Sequence, residues 1–588
     1  MDAERFVAAV AAGENLGGQS FVDLDLGGRS LRGARLEGAK LVRVRFDGAD
    51  LTGAVLDKAT FVSCSFVGAT LDATHADGTS FVLADLTRTT WQGAHLFGTR
   101  APSALLEGAV FRGAKMKDVS LSSARLTGAS FAGVELLQNV GLDRAVFPGA
   151  DLSGLVLRGI IAPEADLSGA SFKGSQLDQC AFVAANLQGA DFSDAVVVGT
   201  ALARADLRRA KLPRRMERVV LDGAIFRDPD SPPPDLRGKD LRGSDLDGAD
   251  LRGVSFDGCD LSLSTLVGAD LRGCTFRAAK LDKASLATSR LDGADLRETS
   301  LTACTLREAS LVGANLEGLA LEAVVLDGAN LSDAKLGRAQ LLRCILDKAD
   351  LRGADLRGAV LERVGLREAK LERCLLAGAT LRGVDFSGVD LRKVQLAGAA
   401  LVRCHVADTD LQGADFHDLD LTETDFSKSD LRGATFAGAT LTRACFRGAK
   451  LDSAIFAKAQ AKAAFFGEAS IRGARFGSAR LRQASFEGAD LESSDLGGAD
   501  LRESLFTGAA LHKTSFVGAS MVYADLSHAR APGADFADAD LSNSKLHGLE
   551  APGARWDGAK TGGARRDDAE LREAERWEAP PEPRGARP

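Results

Sequence analysis

Leucine or phenylalanine returns at every fifth residue along nearly the whole chain, an interval on which no helix can be built. From Leu221 to Trp556 the phase holds, weakened only at centres such as Ser231, Ala461, Ala531 and Ala551. Helices repeat at about 3.6 residues and coiled coils at about 3.5. Two residues before most centres stands a small one: Ala, Cys, Ser, Thr or Val. One before, Asp, Asn, Lys or Arg is frequent, and two after, Gly is common, as in Ala249-Asp250-Leu251-Arg252-Gly253. Residues two apart in an extended segment share a side. The centre and the small residue therefore face inward together, and the residue between them faces water. The remaining two, often ending in Gly, turn a corner. A strict internal repeat of this kind specifies an all-β solenoid.

The phenylalanines set the number of sides. Phe416, Phe426, Phe436, Phe446, Phe456, Phe466, Phe476 and Phe486 come ten apart, with aliphatic centres between most of them. Four sides of five residues return to the same face after twenty. Phe416, Phe436, Phe456 and Phe476 then stack on one face, and the other four on the opposite one. Three sides would scatter phenylalanine over every face. The square coil keeps a uniform cross-section, which close packing favours. Trp556 ends one of these columns.

These motifs resemble the pentapeptide-repeat family, whose consensus is A-[DN]-L-x-x, over roughly residues 15 to 556. The resemblance implies a right-handed quadrilateral parallel β-helix. It also implies two functional settings known in the family. One is mimicry of B-form DNA by short, strongly acidic members that bind DNA gyrase. The other is a place beside bacterial secretion systems as accessory or effector chains.

Charge separates these settings. The chain carries 73 basic and 81 acidic residues, a net −8 spread over 588 positions. An Asp before the centre is often answered by an Arg after it, as in Asp250/Arg252, Asp270/Arg272, Asp350/Arg352, Asp390/Arg392 and Asp430/Arg432. Such a face neutralises itself, which argues against a DNA mimic. Direct nucleic-acid binding needs a one-sign basic stripe with stacking aromatics, and here the aromatics point inward. Eight of the nine cysteines (all but Cys445) occupy the small inward position. They read as core residues of a reducing, cytoplasmic compartment. The opening residues lack the apolar core of a signal peptide, and no apolar run is long enough for a membrane span.

The chain divides by register. Residues 1–14 are expected to form an N-terminal capping helix, with Phe6, Val7 and Val10 on its apolar side. Residues 15–212 form a first repeat segment, with a one-residue slip placed at 137–141, between Leu136 and Leu142. Residues 213–235 are a basic, then proline-rich break. A second segment runs over 236–556. The charged tail, 557–588, carries a short helix around 568–578, with Leu571, Ala574 and Trp577 placed to cover the last coil, followed by a disordered end. The break is either a hinge between segments or a partner-docking loop, for which Arg214, Arg215, Arg218, Pro232, Pro233 and Pro234 are the candidate residues. Irregular segments are where a uniform scaffold acquires specificity.

No catalytic set emerges. The seven histidines are scattered in sequence, and Cys404 and His405 point in opposite directions. The glycines follow the corner period and form no phosphate cradle. The expectation is a non-enzymatic scaffold or protein-interaction module, without cofactor or metal, whose protein partner and oligomeric state are open.

Overall fold

The computed structural model describes residues 1–226 and 234–577. It divides into two compact units, Met1–Ser310 and Leu311–Pro588. Both are four-sided parallel β-solenoids. In the first unit, three-residue strands stack into a four-stranded sheet from Ser20–Val22 to Ser80–Val82. A seven-stranded sheet follows, from His95–Phe97 to Arg215–Glu217. The second unit holds a five-stranded sheet from Ala320–Glu322 to Ala400–Val402. Elsewhere the same parallel pairing continues as single bridges twenty residues apart, such as Asp430 with Lys450.

One pentapeptide shows how the backbone is satisfied. Leu51 N donates to Thr70 O at 2.8 Å, Gly53 N to Asp72 O at 2.8 Å, and Val55 N to Ala34 O at 2.8 Å, tying each coil to both neighbours. Ala54 N closes the corner onto Leu51 O at 2.9 Å. The fifth donor, Thr52 N, is taken by the Asp50 carboxylate at 3.0 Å. Asp before the centre is therefore more than a solvated surface residue. Its short side chain reaches the one amide the ladder leaves over.

Packing follows the expected columns. Phe456 stacks on Phe476 with centroids 4.6 Å apart, and Phe446 on Phe466 at 5.0 Å. The two columns meet edge to face across the core, as Phe446 and Phe456 do at 5.7 Å. Trp556 lies 4.4 Å from Phe536 and closes its column. Eight cysteines are buried and the ninth, Cys445, is half-buried; all are free thiols. Burial pushes the Cys64 thiol up to about 11 and that of Cys274 to about 12, so they behave as small apolar core residues.

The second corner residue is left-handed whether or not it is glycine: φ is +62° at Tyr523 and +69° at Gly438. Gly438 is further constrained, because a Cβ there would run into the Asp418 carboxylate of the preceding coil. Gly413, at φ +66°, has open space around it. Gly438→Ala should therefore lose more stability in chemical denaturation than Gly413→Ala. The latter carries only the left-handed backbone cost, about 1–2 kcal/mol. Equal losses would show that the Asp418 contact is immaterial.

The N-terminal helix α1 (Ala3–Ala11) is capped by Asp2, whose carboxylate accepts from Arg5 N at 2.9 Å. It buries Phe6, Ala9 and Val10, and Phe6 meets Phe21 edge to face at 4.9 Å. Val7 is only half-buried.

Four boundaries differ from the sequence reading. The extra residue lies at 132–136, not 137–141. Leu137, not Leu136, is the buried centre, and Lys115 pairs with Leu136 at a step of twenty-one. Glu135 N and Leu136 N both aim at Ala114 O, at 3.0 and 3.5 Å, as in a β-bulge. Residues 213–217 do not project as a loop: Arg215–Glu217 is a strand beside Val196–Val198, with Met216 as its buried centre. The repeat pairing continues beyond 556, with bridges from Asp540 to Lys560 and Lys545 to Arg565. The C-terminal helix α2 (Ala569–Glu575) buries none of its residues. Leu571 and Trp577, placed over the last coil by their spacing, are 46% and 71% exposed. The tail's expected disordered end, residues 578–588, lies outside the described residues.

Candidate functional site

The register break is built from a deletion and an insertion. From Val196 to Arg215 the coil step is nineteen residues, and from Arg215 to Asp240 it is twenty-five. The deletion draws Pro213 into the core beside Met216. Five residues between Phe226 and Leu236 are surplus to the twenty-residue coil; Ser231, read as a weakened centre, lies outside the described residues. Because five is also the repeat length, the insertion leaves the sequence phase unchanged.

Of the expected docking residues, Arg214 and Arg218 are exposed on either side of the strand Arg215–Glu217. Neither makes an ion pair among the described residues. Arg215 reaches Glu217 at 3.1 Å, and Arg242 of the next coil takes the same carboxylate oxygen at 2.7 Å. Lys239 donates to Leu212 O at 2.7 Å, and desolvation holds its ammonium below the usual lysine range. These side chains open onto a surface notch of about 590 Å³, lined by Asp194, Arg214, Arg215, Lys239, Arg242 and Asp260 among others. Pro234 is half-buried. Pro232 and Pro233 lie outside the described residues.

Elsewhere many arginines are committed. In the Ala-Asp-Leu-Arg pattern the guanidinium folds back onto its own pentapeptide: Arg432 Nε donates to one oxygen of Asp430 at 2.8 Å and Nη2 to the other at 2.6 Å. Arg272 and Arg502 repeat this fork on Asp270 and Asp500. The arginine hydrogen bonds hold the Asp270, Asp430 and Asp500 carboxyls below the usual range. Arg214 and Arg218 make no such pair among the described residues, a property they share with other arginines such as Arg204, Arg338 and Arg363.

A second convergence was hidden in the sequence. His528 and His547 belong to adjacent coils, and both reach Glu575 of α2, with Nε2 to oxygen distances of 3.1 and 3.3 Å. His547 Nδ1 accepts from Asp568 N at 3.1 Å. That contact puts the proton of the neutral His547 ring on Nε2, where it donates to Glu575. The arrangement is a hydrogen-bonded clasp for α2, not a lone pair aimed at a metal. The two histidines are nineteen residues apart, one short of a coil, and occupy different corner positions, so no fixed spacing marked them. Beside them the final coils leave an opening of about 390 Å³ lined by Leu546, Leu549, Ala551 and Trp556 among others.

Comparison with known proteins rests on the repeats themselves. The model of pentapeptide repeats (eight copies) matches twelve stretches from 30–66 to 519–555, covering more than half of the chain. The pentapeptide repeat region model matches residues 439–516. The chain belongs to the pentapeptide-repeat family. Residues 215–233 fall between two matched stretches, 185–214 and 234–262. No curated protein matches this pentapeptide-repeat chain.

Among solved structures, it is similar to a pentapeptide-repeat protein of the Arabidopsis thaliana thylakoid lumen, at 33% identity, over 20% of this chain and 70% of that one, with a TM-score of 0.08. QnrB1, a plasmid-mediated fluoroquinolone resistance protein, is 21% identical over 38% of this chain and 90% of its own, with a TM-score of 0.22. HetL of Nostoc, involved in heterocyst differentiation regulation, is 21% identical over 54% and 90%, with a TM-score of 0.10. Among the described residues, no helix is long and apolar enough to cross a membrane.

Proposed function

We propose that this pentapeptide-repeat protein is a non-enzymatic, cytoplasmic scaffold that engages a protein partner at its register break. The supporting observation is that the interruption of the repeat opens a notch lined by Arg214, Arg215, Lys239 and Arg242, with exposed Arg218 on the far side of the same strand. Regular faces offer a ligand similar chemistry at each coil and little to fix its position. The break differs from the regular coils on either side of it, and exposed arginine is well suited to anchoring a partner. The forked Asp–Arg pairs weigh against DNA mimicry, because their carboxylates are already answered by guanidinium groups. Nine free thiols support a reducing compartment.

The register dictates the test. Deleting residues 229–233 removes five positions between Phe226 and Leu236 and keeps the five-residue phase of the centres. Circular dichroism and thermal stability should match those of the full chain. Capture of the partner from native cell extract should fall sharply, as it should for Arg214→Glu with Arg218→Glu. Undiminished capture by both variants would move recognition to another face.

A further inference from the structure

The last coil of the second unit has an open edge. In a regular coil the amides of the centre and of the second residue after it donate to the coil that follows. One coil before the edge this is complete: Phe536 N donates to Arg555 O at 2.8 Å, Asp538 N to Asp557 O at 2.7 Å and Leu541 N to Lys560 O at 2.7 Å. In the last coil the corresponding amides of Ala551, Gly553, Trp556, Gly558, Thr561 and Gly563 have no acceptor among the described residues. The fourth face is closed by the chain itself, where Leu546 N donates to Arg565 O at 2.7 Å and Gly548 N to the Asp567 carboxylate at 2.9 Å. The carbonyls of Leu549, Ala554 and Ala559, of the kind that accepts from the following coil elsewhere, are also unused among the described residues.

The core is open at the same place. Ala534, Phe536 and Ala539 have no exposed surface, whereas Ala554, Trp556 and Ala559 one coil later are only half-buried. The helix α2, which buries none of its residues, does not close it. Unpaired backbone groups beside uncovered core side chains are a template for a further strand.

We propose that this edge binds an extended peptide segment of another protein, laid parallel to residues 554–558 as one more turn of the solenoid. The contact between successive coils specifies that segment. Phe516, Phe536 and Trp556 form one column, with centroids 5.1 and 4.4 Å apart, so an aromatic side chain belongs over Trp556. Two residues earlier, a small side chain lies over Ala554. Between them an acidic residue meets Arg555, which is mostly exposed and already pairs with Asp535 of the preceding coil at 3.0 Å. After the aromatic, a basic residue meets the exposed Asp557. Glycine then takes the left-handed corner, as Gly558 does at φ +70°. The recognised sequence is small, acidic, aromatic, basic, glycine, as in Ala-Asp-Phe-Arg-Gly. Its carbonyls before and after the aromatic accept from Trp556 N and Gly558 N, and the amide of its acidic residue donates to Ala554 O.

A second copy does not meet these requirements. Its first coil is covered by α1 through Phe6. Its last coil would bring the same unused amides against too few unused carbonyls, leaving donors facing donors. The site is also independent of the register break in the first unit.

Hydrogen exchange on the full chain tests the proposal directly. In the free chain the Trp556 and Gly558 amides should exchange rapidly, while those of Phe536 and Asp538 are protected. A synthetic peptide carrying Ala-Asp-Phe-Arg-Gly, titrated to about 1 mM, should slow Trp556 and Gly558 at least about tenfold. Serine in place of the peptide's phenylalanine should abolish that protection. So should proline in place of its aspartate, which removes the amide aimed at Ala554 O. Arg555→Glu should weaken binding of the parent peptide about tenfold, and a peptide with lysine for aspartate should restore it. Absence of protection in the unaltered chain overturns the proposal, as does equal protection by the serine peptide. Edge amides already slow in the free chain overturn it too, since another part of the chain would then cover the edge. Protection that grows with protein concentration without peptide would assign the edge to a second copy and overturn it equally.

Discussion

Phe446→Asp should cost more than about 5 kcal/mol in chemical denaturation and remove much of the β circular dichroism of the second unit. Phe446 has no exposed surface. It stacks on Phe426 at 5.2 Å and on Phe466 at 5.0 Å, and meets Phe436 and Phe456 edge to face. Truncating a buried phenylalanine alone costs about 3–5 kcal/mol, and an unpaired buried carboxylate adds several more. Each coil is supported only by its neighbours, so the damage propagates along the stack. One residue away, Arg447→Asp breaks only a surface pair with Glu468 at 2.7 Å, both partners mostly exposed, and should leave the denaturation midpoint nearly unchanged. Similar losses for the two variants would mean that the centres do not point inward.

The second large effect is expected at the N-terminal end. Phe6→Ala removes the fully buried side chain through which α1 covers the first coil, and with it the edge-to-face contact with Phe21. A loss of about 3–5 kcal/mol is expected locally. Hydrogen exchange should accelerate at Leu16, Phe21 and Leu26 while the second unit keeps its protection. Uniform acceleration along the chain would show that the cap governs global stability; no change would show that α1 is ornamental.

The core was legible because its information is redundant. Phe416 through Phe486 repeat one spacing, and any error at one centre is corrected by the next. The cap was legible for the same reason, since Phe6 and Val10 form one apolar side just before the first repeat. Single events carried no such redundancy. Leu136 and Leu137 are adjacent leucines, either of which satisfies the pattern, and only the two amides aimed at Ala114 decide between them. Met216 stands five before Leu221 and marked its own strand, but the basic residues around it suggested a loop. The five-residue insertion after Phe226 is silent to periodicity.

The tail misled for a different reason. Leu571 and Trp577 are spaced as an apolar stripe, yet α2 is held by Glu575 on His528 and His547, a contact set by three-dimensional neighbours and by no local pattern. The role of Asp50 and its equivalents was half legible: their position was evident, but the amide they satisfy becomes visible only once the ladder has claimed the other four.

In the first unit α1 seals the first coil with Phe6, whereas in the second unit Trp556, in one of the last coils, is only partly covered. During synthesis α1 leaves the ribosome before the coils that follow it. At about 5–20 residues per second, each further coil of twenty takes about 1–4 s to emerge. Every new segment then meets a finished edge bearing the donors, acceptors and aromatic column it needs, while the cap keeps the opposite edge from recruiting a stray strand. Growth is thereby given one direction, and a chain of very repetitive sequence is kept in register by the order in which it is made.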